Sequence, residues 1–425
     1  MTVMDGLVGD FKRKNHSYTG DCVVGTESLV GFTYYEDFIK DLESSDFVEA
    51  ASPVIKSYAL IGTESSGRNV GAELLGVDAV SFSRVTGFGR TLHYHKGDLS
   101  KVFEVTGDSN AAGFVIGIDM WSARDAKGEY YYSPVPSATP LSVTCFPLTA
   151  KGALVRAGTD MANTKTFYFS DCSQSGLARI DGSIIYLPFH EAQALCGMTE
   201  PVKRASWIHI KFKGGTNIEE GCRKVRAMWV KFRDEVRKNE SAGKMPATRE
   251  NADLLSQVIV QDWKEYRRES IAGMEKEQVM LTVMFGLVGL TTVFIVYVVF
   301  FMIISHKTKD IGILKSIGAS CGDVVLLFLG FAAGIGIIGS AVGIAGGMLF
   351  LRNINRIEGW LFERFGFQLW DRTIYAIGEI PHRLDLTMLL IVTGCAVLAC
   401  LAGALLPSAG AARNKPAEVL QVSQL

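Results

Sequence analysis

The chain lacks a phosphate-binding loop: no GxxxxGK[ST] occurs, and the nearest glycine-rich segment, Gly214-Gly215-Thr216-Asn217, has no lysine to reach a nucleotide's phosphates. The chain is therefore not expected to hydrolyse ATP by itself. HExxH and GxSxG are missing too, which removes the commonest hydrolase motifs. A formal net charge of −1 with dispersed basic residues leaves no nucleic-acid footprint. No cofactor is called for. Gly334-Ile-Gly336-Ile-Ile-Gly339 has the form GxGxxG, but it sits within an apolar run, without the strand before it and the acidic residue after it that dinucleotide binding needs.

Charge is absent from three long stretches, Val279–Ser305 (27 residues), Val324–Leu351 (28) and Leu386–Leu406 (21). A helix rising about 1.5 Å per residue needs about 20 apolar residues to cross a hydrocarbon core roughly 30 Å thick, so each run is long enough to span. With no Asp, Glu, Lys, Arg or His in the runs, the ionisable groups that mark proton relays and ion-coupled carriers are missing. Energy for any work at the membrane must come from elsewhere. Met1–Tyr18 carries Asp5, Asp10, Lys12, Arg13 and Lys14 and has no apolar h-region, so it reads neither as a span nor as a signal segment.

Residues 1–276 are mixed in composition and read as an α+β domain. Gly20–Val24, Val54–Ile61, Phe114–Ile118, Leu141–Phe146, Lys165–Phe169, Ser183–Leu187 and Ser206–Phe212 are short β-like runs bounded by turn residues. Tyr35–Glu43 and Asn217–Lys238 have helical spacing, the second opening with Glu219 and Glu220 in its first turn. Arg249–Lys276 reads as one charged helix running into the first span. His93 and His95 would share a face of a strand, but no third ligand at a familiar spacing accompanies them, so a solvated strand face is expected. Five of the eight cysteines (Cys22, Cys145, Cys172, Cys196, Cys222) fall in this domain, at spacings of neither a CxxC metal site nor a dense disulfide framework. They read as buried small hydrophobes, with room for one disulfide.

The remainder divides into a transmembrane helix (277–305), a polar loop (306–323), a second span (324–351), a loop (352–385), a third span (386–406) and a tail (407–425). In the first loop Ile311, Leu314 and Ile317 recur every third residue, which suggests one face of a short amphipathic helix lying along the membrane and stopped by Gly318. In the second span Gly330, Gly334, Gly339, Gly343 and Gly347 form small-xxx-small pairs, the spacing that lets helix backbones approach closely. These five glycines are the expected packing face.

The run Lys309-Asp-Ile-Gly-Ile-Leu-Lys-Ser-Ile-Gly-Ala-Ser320, directly after a span, resembles the K-x-I-x-I-L-[KR]-x-[IL]-G-A-S segment of the FtsX-like ABC permease superfamily. The tail from Leu406 to Leu420 is similar to that superfamily's P-x-x-x-A-A-[RK]-x-x-P-x-E-x-L ending. Val3-Met-Asp-Gly-Leu7, Leu75-Gly-Val-Asp78, Ile185–Leu195, and Trp263 followed by Glu275–Met280 look like segments of lipoprotein-releasing (Lol) permeases.

The resemblance implies an inner-membrane permease with a MacB-like periplasmic domain over 1–276. It implies a cytoplasmic coupling loop over 306–323, in which Lys309, Ile311, Gly312, Leu314, Lys315, Ile317 and Gly318 meet a cytoplasmic ABC ATPase dimer. A second permease, identical or different, would complete the unit. A lipoprotein substrate and a periplasmic carrier would be the further partners. An efflux-type permease of the macrolide-exporter kind, or an FtsX-like regulator of cell-wall hydrolases, are the alternatives within the same superfamily. The family's first span would end just before Val3-Met-Asp-Gly6, so an additional apolar segment is expected upstream.

Overall fold

The structure is a computed structural model that describes residues 2–62, 69–107, 111–122, 130–154, 162–241, 249–365 and 386–413. The described residues divide into two units: 10–271, and 2–9 with 272–365 and 386–413.

The first unit is built on a nine-stranded mixed sheet. Its strands are β1 (Cys22–Gly25), β3 (Val48–Gly62), β4 (Asn69–Val77), β5 (Gly113–Gly117), β6 (Pro140–Cys145), β7 (Asn163–Ser173), β8 (Ile184–Pro188), β10 (Trp207–Phe212) and β11 (Ile259–Asp262). They run in the order β11-β1-β10-β3-β4-β8-β5-β7-β6. A separate two-stranded sheet pairs β2 (Phe32–Thr33) with β9 (Arg204–Ala205). At 15 residues, β3 is long enough to serve two partners on one edge, β10 along Val48–Val54 and β6 along Ala59–Gly62. Six strands, β3-β4-β8-β5-β7-β6, therefore close on themselves.

Several strands are apolar without alternation because the sheet is buried on both faces. Cys22, Val24, Ile55 and Leu74 pack on one side with Phe38, Trp229 and Phe232. Val23, Val54 and Leu75 pack on the other with Phe82, Tyr186 and Trp207. Tyr35–Glu43 is helical as the sequence suggests, turning Tyr35, Phe38 and Leu42 inward. Gly76 has a steric reason to be glycine: a Cβ there would lie 2.3 Å from the Ala192 Cβ, on the helix Phe189–Leu195.

The structure corrects two expectations for this region. Arg249–Lys276 is not one helix: Arg249–Ser256 ends, Ile259–Asp262 joins the sheet beside β1, Trp263–Tyr266 forms one turn, and only at Arg268 does a 39-residue helix begin. Val258 and Val260 gain a buried place against the core, which a straight charged helix could not give them. Asn251, whose residue type suits a helix cap, has its side chain outside the described residues. His93 and His95 are not on a solvated strand either. The buried Asp171 carboxylate accepts backbone N–H groups from His93 (3.1 Å), Tyr94 (3.0 Å) and His95 (2.8 Å) and contacts His95 Nδ1 at 3.1 Å, while His93 stacks on Tyr132. Among the described residues no group of three His, Cys, Asp or Glu could hold a metal. Thr2–Thr19, for which no element was expected, is a helix.

A buried histidine joins that helix to the sheet. His209 on β10 donates its Nδ1–H to the Thr19 carbonyl at 2.7 Å, and burial holds its pKa down at about 4. Above pH 6.5 the ring is neutral in both folded and unfolded chains, so it adds no pH dependence there. Between about 6.5 and 4 the unfolded chain takes up the proton and the folded one does not, so stability falls with pH by up to about 3 kcal/mol. Denaturant unfolding of the detergent-solubilised chain, followed by tryptophan fluorescence, should show this loss. His209→Gln should flatten the slope across that window while lowering stability at neutral pH.

Candidate coupling site

Among its described residues the second unit contains three helices long and apolar enough to cross a membrane, within Arg268–His306, Cys321–Leu361 and Leu389–Gly410. The middle helix runs Cys321–Phe365, 45 residues. At about 1.5 Å per residue that is about 68 Å, twice what a bilayer requires. The expected loop at 352–385 is thus helical to Phe365, and 366–385 lie outside the described residues. No proline interrupts Arg352–Phe365, so the helix has no forced stop there. The expected tail from Pro407 is likewise helical to Arg413, because Ala404, Ser408 and Ala412, four residues apart, keep the stripe buried past the proline. Residues 414–425 are outside the described residues.

Between the first two apolar helices lies a short helix, Thr308–Ser316. Gly318 ends it with φ +110°, the Gly318 N–H donating to the Lys315 carbonyl and the Ala319 N–H to the Leu314 carbonyl. That is a Schellman stop, which glycine adopts without strain. Two residues on, Ser320 starts the next helix. Its Oγ accepts from the Asp323 N–H (3.2 Å), while the Asp323 carboxylate accepts from the Ser320 N–H (2.9 Å) and hydroxyl (2.7 Å). The Gly-Ala-Ser of the motif is therefore a helix stop joined to a helix start.

Ile311, Leu314 and Ile317 do not share one environment. Positions 311, 314 and 317 spread over about 120° at about 100° per residue. Ile311 is buried with Ile304, Val324, Phe328 and Ala412. Leu314 is half exposed, beside a groove of about 490 Å³ shared with Phe300, Leu327 and Phe331. Ile317, past the last helical turn, is 81% exposed. Lys315 Nζ donates to the Ala412 carbonyl (2.7 Å), tying the helix to the third apolar helix. Lys307 pairs with Asp310 at 2.9 Å. Gly312 lies within the helix, as does the backbone of Lys309, whose side chain is outside the described residues.

The glycines separate in the same way. Nothing lies within 4 Å of a Cβ built at Gly330, Gly334, Gly339, Gly343 or Gly347. Gly330 and Gly339 are nine residues apart, about half a turn out of phase, so the five do not form one face. Close approach within the chain occurs at Gly336, where a Cβ would lie 3.1 Å from Val397 Cα, and at Gly403, 2.9 Å from Val296 Cγ1 and 3.0 Å from the Val293 carbonyl. Ala332, Gly336 and Ser340 also have small-xxx-small spacing, a signal hidden when only glycine pairs are counted.

Residues 282–416 match the family described as FtsX-like permease C-terminal. Among curated relatives, the lipoprotein-releasing system transmembrane protein LolC of Xylella fastidiosa (strain 9a5c) is 26% identical over 168 residues, 40% of this chain and 41% of its own. LolC of Neisseria meningitidis serogroup B (strain MC58) is 26% identical over 164 residues, 39% of this chain and 40% of its own. The chain thus matches about two fifths of the length of these relatives. Among solved structures, the periplasmic region of MacB from Actinobacillus actinomycetemcomitans aligns at TM-score 0.34 and 10% identity, covering 62% of this chain and 96% of that one. The extracellular domain of the transporter YknZ from Gram-positive bacteria aligns at 0.28 and 12%, covering 47% and 87%.

Gly403→Leu should force the first and third apolar helices apart, since overpacking a close contact costs about 1–3 kcal/mol. A drop of several degrees in the melting temperature of the detergent-solubilised chain is expected. An unchanged melting temperature would show that these helices do not meet at Gly403.

Proposed function

We propose that this chain is the permease subunit of an ABC-type transporter in a bacterial inner membrane, and that it works by releasing lipoproteins. In this reading 306–323 and the tail face the cytoplasm, and the sheet domain lies outside. ATP hydrolysis belongs to a separate dimeric ATPase, and a second permease completes the unit. ATP binding moves the short helix, and the helix beginning at Arg268 passes the motion to the outer domain, which hands a lipidated protein to a periplasmic carrier. The likeness to LolC proteins over two fifths of the chain carries the choice of lipoprotein release.

Leu314 and Ile317 are exposed apolar residues at and just past the end of the short helix, as Ile313 is within it, and they serve as anchors for the ATPase. Ile311 is the residue that fastens the helix to its own bundle. Leu314→Asp would place an unpaired charge in the docking contact, at a cost of about 2 kcal/mol, or roughly thirtyfold in affinity. Co-purification with the ATPase should fall accordingly while the chain inserts and folds normally. Ile311→Asp should instead destabilise the bundle itself. ATPase recovered at wild-type stoichiometry with Leu314→Asp would refute the docking role.

The open glycines would serve the second permease, because small residues let helices from separate chains approach closely. Gly343→Leu should leave the melting temperature of the isolated chain unchanged and reduce the recovered two-permease complex. Wild-type recovery would mean that this face meets lipid.

A further inference from the structure

Two pairs of cysteines meet inside the sheet domain although they are far apart in sequence. Cys145, at the end of β6, lies opposite Ala59 of β3 and Asn163 of β7. Asn163 Nδ2 donates to the carbonyl of Leu195, the residue before Cys196, at 3.0 Å. Cys196 lies beside Ser57, which shares a face of β3 with Ala59, and beside Cys145 itself. The second pair forms on β1. Cys22 lies opposite Asp262, and Val24 opposite Val260. Arg226, one turn beyond Cys222 on the helix Ile218–Ser241, donates to the Val260 carbonyl at 2.9 Å. That bond lays the helix over β11 and β1 and brings Cys222 beside Cys22. All four side chains are buried.

We infer that Cys145 with Cys196 and Cys22 with Cys222 are two disulfide sites, closed when the domain folds in an oxidising compartment. The inference rests on the proposal that the sheet domain lies outside the cytoplasm, where disulfides form and persist. One thiolate of each pair attacks the disulfide of a protein dithiol–disulfide donor, breaking the donor's S–S bond and forming a mixed disulfide. The second thiolate displaces the donor sulfur and closes the bridge. Each pair gives up two protons and two electrons, and the donor leaves as a dithiol. Exchange comes before the core closes, because in the folded domain burial pushes the Cys22 thiol well up and leaves little thiolate to react. Cys172, pushed up to about 12 by burial, stays a thiol.

The test uses the full chain in membranes, acid-quenched, denatured and alkylated with and without prior reduction. Of the eight cysteines, four should be alkylated without reduction and all eight after it. Proteolysis without reduction should yield peptides joining Cys145 to Cys196 and Cys22 to Cys222. Eight alkylated cysteines, or other pairs, would overturn the inference. In a separate sample a membrane-impermeant maleimide is applied to intact spheroplasts carrying Lys231→Cys, a position 80% exposed. Labelling from outside together with eight free native thiols would sink the disulfides and leave the topology standing. Labelling only after permeabilisation would sink both.

Discussion

The pairing of Ile259–Asp262 with Cys22–Gly25 is the constraint from which the rest of the sheet domain's helix geometry follows. It ends the preceding helix and fixes the place where the 39-residue helix begins. The same corner holds the end of the amino-terminal helix. His16 contacts the Asp21 carboxylate at 2.7 Å and stacks on Trp263, and the Trp263 N–H donates to the Asp21 carbonyl. Arg267 lies 4.4 Å over the Tyr18 ring and donates to the Thr19 hydroxyl. Asp262 caps the single turn that follows the strand, reciprocally with Glu265. Two helices are thereby rooted on adjacent strands through aromatic, charged and main-chain contacts. A rooted helix can pass on a displacement, whereas a frayed one would absorb it.

In the membrane unit the comparable constraint is close backbone approach. Gly336 against Val397, and Gly403 against Val293 and Val296, bring three helices together where a side chain would separate them. Phe300, Ala332 and Ala404 fill the space one layer away, and Ile311 extends the packing into the short helix. That helix is consequently part of the bundle rather than an appendage. A push on Leu314 or Ile317 would reach the first two apolar helices through Ile311 and the turns at Gly318 and Ser320.

Much of this was legible in the sequence, for physical reasons. Strands buried on both faces, such as Gly113–Gly117, announce themselves as unbroken apolar runs, and Tyr35–Glu43 shows its inward face by spacing alone. Gly318 was legible as a stop because a glycine after a periodic run has few other uses. Strand β4 was not, since Asn69, Gly71, Glu73 and Gly76 dilute its apolar positions. Strand β11 was hidden because two valines in a charged neighbourhood satisfy a helical pattern as readily as an alternating one. The burial of Ile311 depends on Ile304, Val324, Phe328 and Ala412, which come from three other helices, so no local pattern encodes it. Small-residue spacing marks a helix that can be approached closely but not the helix that approaches it. Hence glycine spacing points to Gly330, Gly334, Gly339, Gly343 and Gly347, whereas the close contacts fall at Gly336 and Gly403.

In the proposed mechanism the helix beginning at Arg268 transmits motion as a rigid element. Lys276→Pro tests it most directly, since an interior proline removes a main-chain hydrogen bond and costs about 3 kcal/mol of helix stability. The readout is ATP-dependent lipoprotein release from proteoliposomes, with ATPase recruitment measured in parallel. The account predicts normal recruitment of the ATPase and loss of release. Release at the wild-type rate from the proline variant would contradict it.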